Sequence, residues 1–433
     1  MWFEESVFYQ IYPLGFCGAP EINDGVLTNR ISKICNWVDH IKKIGANAIY
    51  FAPIFDSDNH GYDTRDYKKI DCRLGSNEDF TKVCNELHSN DIKIVLDGVF
   101  NHVGRGFWAF KDVLVNRENS KYKDWFFINF NSNNGYNDGL YYEGWEGHYE
   151  LVKINLKNPE VVNHLFECIK LWVDEFDIDG LRLDVAYMLD REFLKQLKKY
   201  CDSLKKDFFL IGETIHGDYN SIVNDEMLHS CTNYECYKGL YSSFNSLNMF
   251  EISYSLNRQF GSEQWSIYKG KKLISFVDNH DVSRIASTLT DKKHLPLIYS
   301  MMFTMPGIPC IYYGSEWGAE GKKEEGDNKL RASFEAPVEN ELVDFVGKLS
   351  KIHKSTKALC YGDYKNNIVT NKQLIFEREF NNEKVIIAIN ADNLPYSAKI
   401  NGGKAIELLD DKEVNLGNLI VLKPYSVKIF LCK

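Results

Sequence analysis

Arg182 and Asp184 stand two residues apart at the end of the short run Asp179-Gly180-Leu181-Arg182-Leu183-Asp184. Alternation along a strand puts residues two apart on one face. A guanidinium beside a carboxylate favours the ionised carboxylate, and an ionised aspartate fixed in a cleft can attack a sugar carbon. Three more apolar runs end in polar clusters. Residues 94–96 lead into Asp97-Gly98-Val99-Phe100-Asn101-His102, residues 208–211 into Gly212-Glu213-Thr214, and residues 273–277 into Asp278-Asn279-His280-Asp281. Each run has the length of a buried strand, with its cluster at the C-terminal end. In a parallel barrel those ends meet on one face, where active sites are built. Four strand ends bearing carboxylates at one mouth can supply a nucleophile, a proton donor and a charge-stabilising group.

The elements that would position these residues alternate between strand and helix. Candidate strands cover 7–12, 48–52, 93–97, 179–184, 208–213, 230–234, 273–277 and 310–313, with helical patterns at 161–175 and 191–204. This predicts an α/β chain folded as a (β/α)8 TIM barrel. The connection from 104 to 155, after the third strand, is rich in Asn, Gly, Tyr and Trp, and long insertions at that place usually serve the site. After a helix near 341–358, strand-like runs at 374–380, 384–389 and 426–431 predict a C-terminal antiparallel β domain. The expected division is 1–103 and 156–360 for the barrel, 104–155 for an inserted domain, and 361–433 for a C-terminal β-sandwich.

The four clusters resemble the conserved regions of the α-amylase family of glycoside hydrolases, in that family's order. By this resemblance Asp184 matches the nucleophile, Glu213 the general acid/base, and Asp281 the carboxylate that stabilises the transition state. From the residues alone, Asp278 serves equally well as that third group. Arg182 matches the arginine accompanying the nucleophile, and His102 and His280 match histidines that hold the sugar. Asn59-His60-Gly61-Tyr62 is similar to the family segment whose histidine and tyrosine line the same subsite. Asp327 and Arg331 look like a later pair that grips the neighbouring glucose. Asn101 matches a calcium-binding position in many relatives, so calcium is a candidate ligand, while the chemistry itself requires no cofactor. Asp97 is read as a brace for its neighbours.

Composition fits this reading. A chain of 433 residues suits a large barrel with small additions. A net charge of -10 without a basic stripe argues against nucleic acid as the main partner. The start, Met1-Trp2-Phe3-Glu4-Glu5, has no signal-peptide pattern, and the most apolar region is broken by Pro296, Pro306 and Pro309, so no membrane span is expected. Eleven cysteines without Cys-x-x-Cys spacing read as buried, reduced thiols of a cytoplasmic protein.

Leu151-Val152-Lys153-Ile154-Asn155-Leu156 resembles a segment of the cyclomaltodextrinase and neopullulanase group, with Val152 in place of its proline. That group carries an extra N-terminal β domain, whereas this chain begins at its first barrel strand. A dimer built through that domain is therefore not expected, and the chain is read as a monomer or weak homo-oligomer. The expected activity is retaining hydrolysis of α-1,4-glucosidic bonds in maltodextrins or related α-gluco-oligosaccharides. The alternative is an α-glucan transglycosylase or disaccharide isomerase that uses the same glycosyl-enzyme intermediate. A non-enzymatic carbohydrate-binding or partner-binding module would be expected to have lost the carboxylates, and all three are present.

Overall fold

The computed structural model describes residues 1–417 and 419–433. Eight strands form one parallel sheet: β1 (Phe8–Ile11), β2 (Ala48–Phe51), β3 (Lys93–Gly98), β4 (Gly180–Leu183), β5 (Phe209–Gly212), β6 (Ser230–Cys231), β7 (Ile274–Ser275) and β8 (Ile308–Tyr312). Their order is β6-β5-β4-β3-β2-β1-β8-β7. A parallel bridge between Thr232, just beyond β6, and Ile274 of β7 closes the ring, with Asn233 N donating to Ile274 O at 3.0 Å. All eight expected strands are found. Most are trimmed at the ends, whereas β8 begins at Ile308, two residues earlier than the pattern indicated.

Alternation then determines what each strand offers. Phe8, Ala48, Tyr50, Val95, Phe209, Ile211, Ile274, Phe276, Ile308 and Cys310 face inward and form the apolar filling of the barrel. A 3-10 turn over Trp2–Glu5 presents Phe3 to that filling, stacked on Phe209 with ring centroids 3.8 Å apart. Outward-facing residues such as Ile49, Leu96, Leu181 and Leu210 belong to the larger core shared with the surrounding helices. The inward register that holds Tyr50 and Val95 also places Gln10, Asp97, Arg182 and Glu213 at the C-terminal end of the bore.

The helix Pro159–Phe176 starts on an Asn158 cap, with Pro159 in its first turn, and ends at Asp177 in a left-handed conformation. Arg191–Leu204 is capped by Asp190, whose carboxylate accepts from Glu192 N and Phe193 N. Both helices coincide with the expected periodic segments. Between β3 and β4, His148–Lys153 pairs with His102–Gly104 on one side and Gly144–Trp145 on the other. This folds the inserted segment over the mouth of the barrel.

The C-terminal domain contains β9 (Asp363–Val369), β10 (Gln373–Phe380), β11 (Glu383–Asn390), β12 (Tyr396–Lys399), β13 (Lys404–Glu407), β14 (Lys412–Asn415), β15 (Leu419–Leu422) and β16 (Ser426–Cys432). Six of them make an antiparallel sheet in the order β9-β10-β11-β16-β13-β14, and β12 pairs with β15. Leu374, Phe376, Val385 and Ile387 pack into the barrel's outer core. Their alternating neighbours Ile375, Ile386 and Ala388 pack with Ala398 and Leu422 of the small pair. A sheet buried on both faces follows from these nearly continuous apolar strands.

Candidate active site

Arg182 organises the mouth of the barrel. It is buried, and its Nη1 lies 2.8 and 3.0 Å from the two Asp97 oxygens and 2.9 Å from Asp184 Oδ1. Nη2 lies 2.9 Å from Glu213 Oε1. One guanidinium thus gathers carboxylates from three adjacent strands. Asp97 also accepts from the Tyr50 hydroxyl at 3.1 Å, which makes it the brace expected from its position at the strand end.

Asp184 is followed by Val185 at φ 41° and ψ 46°. A β-branched residue in the left-handed region is strained. The turn directs Val185 N–H onto Glu213 Oε2 at 3.0 Å. Two carboxyls held by neighbouring amino groups of one guanidinium are adjacent on the scale of the about 5 Å that a retaining pair needs.

The electrostatics differ from the sequence expectation in one respect. Burial pushes Asp184 up to about 7, with Asp97 and Asp281 adding to the rise and Arg182 opposing it. Arg182 does not hold Asp184 in the ordinary carboxylate range, because the cost of burial outweighs its attraction. Burial likewise pushes Glu213 up to about 7, opposed by Arg182 and reinforced by Asp184 and Asp281. The pair therefore retains a proton near neutrality. Asp281 goes the other way: burial opposes its charge, but His280 and Arg331 outweigh that and hold it below the usual value.

Asp281 Oδ2 is 3.0 Å from His280 Nε2, and its Oδ1 is 3.1 Å from Arg331 Nη2. Asp278 is directed elsewhere. Its Oδ2 accepts from Ile285 N and Ser315 Oγ, each at 2.7 Å, behind the barrel wall. Geometry thus separates two aspartates that the residues alone left equivalent.

Both histidines are held neutral, since burial pushes each down to about 3. Gln10 Nε2 donates to His280 Nδ1 at 2.8 Å, and Asn101 Nδ2 donates to His102 Nδ1 at 3.2 Å. With Nδ1 accepting, the proton sits on Nε2 in both rings. His102 Nε2 is buried without a hydrogen-bond partner and lies 3.9 Å from Asp184 Oδ2. It is a donor aimed at the cleft. Tyr62 stacks on His280 with ring centroids 5.7 Å apart and planes 6° from parallel, and their polar atoms are hydrogen-bonded.

A cleft of about 500 Å³ opens above these groups. It is bordered by His60, Tyr62, His102, Asp184, Glu213, Asp281, Asp327 and Arg331. Arg182 and His280 border a smaller space of about 30 Å³ beneath it. Asp327 and Arg331 are paired at 3.1 Å. Asn101 does not reach the cleft, and its amide nitrogen is engaged by His102. Among the described residues, the one group of three His, Cys, Asp or Glu ligand atoms close enough to share a cation is Asp56, Asp71 and Cys72. Asp71 there is already bound by Arg73 at 2.7 and 2.8 Å.

The cleft also holds residues that the sequence reading did not single out: Trp145, His148 and Glu150 from the inserted hairpin, Ile215, Tyr234 and Lys323. Trp145 lies over His148 with ring centroids 5.5 Å apart. Its tryptophan-rich segment was legible as serving the cleft, but the register that selects this side chain comes from pairing of Gly144–Trp145 with His148–Lys153, which has no local signature. All eleven cysteines are free thiols and most are buried. Among the described residues, no helix is long and apolar enough to cross a membrane.

The chain is similar to known proteins along most of its length. The catalytic-domain model of alpha-amylase matches residues 10–355. A cyclomaltodextrinase of Bacillus sp. is 28% identical over 423 residues, which is 93% of this chain and 75% of that protein. The intracellular maltogenic amylase of Bacillus subtilis (strain 168) is 29% identical over 418 residues, covering 91% of this chain and 69% of its own. A solved cyclomaltodextrinase superposes with a TM-score of 0.88 at 26% identity, over 100% of this chain and 78% of that one. The family match runs from β1 to the helix that follows β8 and so takes in every strand that carries a site residue. With that extent of agreement, the chain belongs to the α-amylase family of glycoside hydrolases.

Proposed function

We propose that this protein hydrolyses α-1,4-glucosidic bonds of maltodextrins or related α-gluco-oligosaccharides with retention of configuration. The observation that carries the reading is the bridging of Asp184 and Glu213 by one buried guanidinium at the floor of an open cleft. In the first step Asp184 attacks the anomeric carbon, the bond to the leaving oxygen breaks, and Glu213 gives that oxygen its proton. In the second, Glu213 takes a proton from water, the resulting hydroxide adds to the anomeric carbon, and Asp184 leaves. Asp281 stays ionised beside the ring as positive charge develops. The Nε2–H of His102 bonds a sugar hydroxyl, His280 with its Nε2 on Asp281 and Tyr62 sets the groups that hold the same sugar, Tyr62 stacks on the ring, and Asp327 with Arg331 holds the adjoining unit. None of these steps needs a cofactor.

Soluble oligosaccharide is the partner this cleft suits. A cytoplasmic setting is favoured by the eleven free thiols, and a monomer or weak homo-oligomer is the proposed state. The test is proton NMR of maltoheptaose digestion. First-formed α-anomers with rising reducing ends support the reading. First-formed β-anomers would contradict it, and longer products at constant reducing ends would replace hydrolysis with transfer.

A further inference from the structure

Arg284 follows Asp281 by three residues and is fully buried behind the barrel wall. Its backbone N–H donates to the Gly321 carbonyl at 2.9 Å, and its Nη2 donates to the Leu330 carbonyl at 2.8 Å. One residue therefore grips both ends of the segment 322–329, which is exposed apart from the half-buried Asp327. A segment with so little buried surface has few contacts of its own to fix it. The backbone that follows it is held from behind instead.

Two tyrosines at the end of β8 complete that hold. Tyr312 donates its hydroxyl to the same Leu330 carbonyl at 2.8 Å, and Tyr313 donates to the Ala332 carbonyl at 2.9 Å. The carbonyls on either side of Arg331 are thus both pinned by side chains of the barrel. The Arg284 guanidinium lies 4.7 and 5.3 Å from the centroids of the Tyr312 and Tyr313 rings. Its Nη1 donates to Tyr313 O at 2.8 Å and to Ser315 Oγ at 3.1 Å. Ser315 in turn donates to the Asp278 carboxylate, so one hydroxyl links the buried cation to an anion and offsets the cost of burying it. None of these three residues borders the cleft.

The Arg331 side chain is what this framework supports. Its Nε donates to His280 O at 3.2 Å, its Nη2 lies 3.1 Å from both Asp281 and Asp327, and its guanidinium lies 4.6 Å from the Tyr12 ring centroid. Such contacts weaken steeply with misalignment, so they depend on where the Leu330–Ala332 backbone sits. We propose that Arg284, Tyr312 and Tyr313 are positioning residues that fix the Arg331 backbone from behind the barrel wall and so set how firmly the cleft holds its sugar without touching it. This role rests on the α-glucan reading of the cleft.

Maltotriose binding is measured calorimetrically in an Asp184→Asn background, where the sugar is not turned over. Combining Tyr312→Phe with Tyr313→Phe keeps both rings and removes the two hydroxyls. The dissociation constant is expected to rise roughly tenfold, within the scale of two lost hydrogen bonds. Arg284→Met should act in the same direction and Arg284→Lys should recover part of the loss; if neither folds, the tyrosine pair decides. In an Arg331→Ala background the tyrosine pair should cause no further loss, because the group it positions is gone. Loss of folded protein alone would lower the binding stoichiometry at an unchanged dissociation constant. That result, or an equal further loss in the Arg331→Ala background, would overturn the proposal. Failure of the hydrolase reading looks different: the binding pattern persists while the native protein releases no reducing ends.

Discussion

Gln10 Nε2 sits 2.8 Å from His280 Nδ1, and this contact decides which ring nitrogen of His280 carries the proton that faces Asp281 and Tyr62. The residue belongs to β1, far in sequence from the ring it orients. Gln10→Leu removes the donor and frees His280 to take the other tautomer. The expected outcome is a loss of roughly 10–100-fold in kcat/KM, the scale of one buried hydrogen bond to a catalytic-site group. Steady-state kinetics on maltotriose, with circular dichroism to check the fold, measures it.

Asp97 draws on the same guanidinium as Asp184 and Glu213. Asp97→Asn removes a negative charge that raises Asp184. The proton held by the Asp184–Glu213 pair should then leave at lower pH, and the alkaline limb of kcat should move towards acid. A residue that only supported the fold would change the height of the pH profile without shifting that limb.

The Glu213 value also has a consequence for stability. Its carboxyl is raised from 4.5 to about 7 in the folded protein, so the stability it contributes is complete below 4.5 and is lost as pH rises through 7. Glu213→Gln stays neutral throughout. The variant should unfold at a higher temperature than the native protein at pH 8, by an amount on the order of 1–3 kcal/mol, and the gap should close towards pH 4.5. Thermal unfolding across that range checks the sign, and an unchanged gap at both ends would contradict it.

Trp145 borders the cleft on the inserted hairpin and lies over His148. Trp145→Ala should weaken substrate binding by about 1–2 kcal/mol through lost aromatic contact, read as a rise in KM. The fold should be unaffected, because the indole is partly exposed.

Much of the barrel was legible because its strands are short apolar runs that end in charged clusters, and parallel pairing buries such runs on both faces. The same logic brought Arg182, Asp184, Glu213 and Asp281 to one mouth. What it could not supply was how charge is divided there. Arg182 and Asp184 look like a private pair in sequence, but Asp97 and Glu213 reach the same guanidinium from neighbouring strands. Trp145 and Gln10 escaped because their roles depend on register across strands, which local periodicity does not encode.

The central claim is that Asp184 forms the covalent intermediate. The most direct test is to trap that intermediate with 5-fluoro-α-glucosyl fluoride, digest the protein, and locate the sugar by tandem mass spectrometry. The account predicts a single glycosylated peptide with the added mass on Asp184, and no adduct in Asp184→Asn. A sugar on Asp97, Glu213 or Asp281 in the native protein would contradict it.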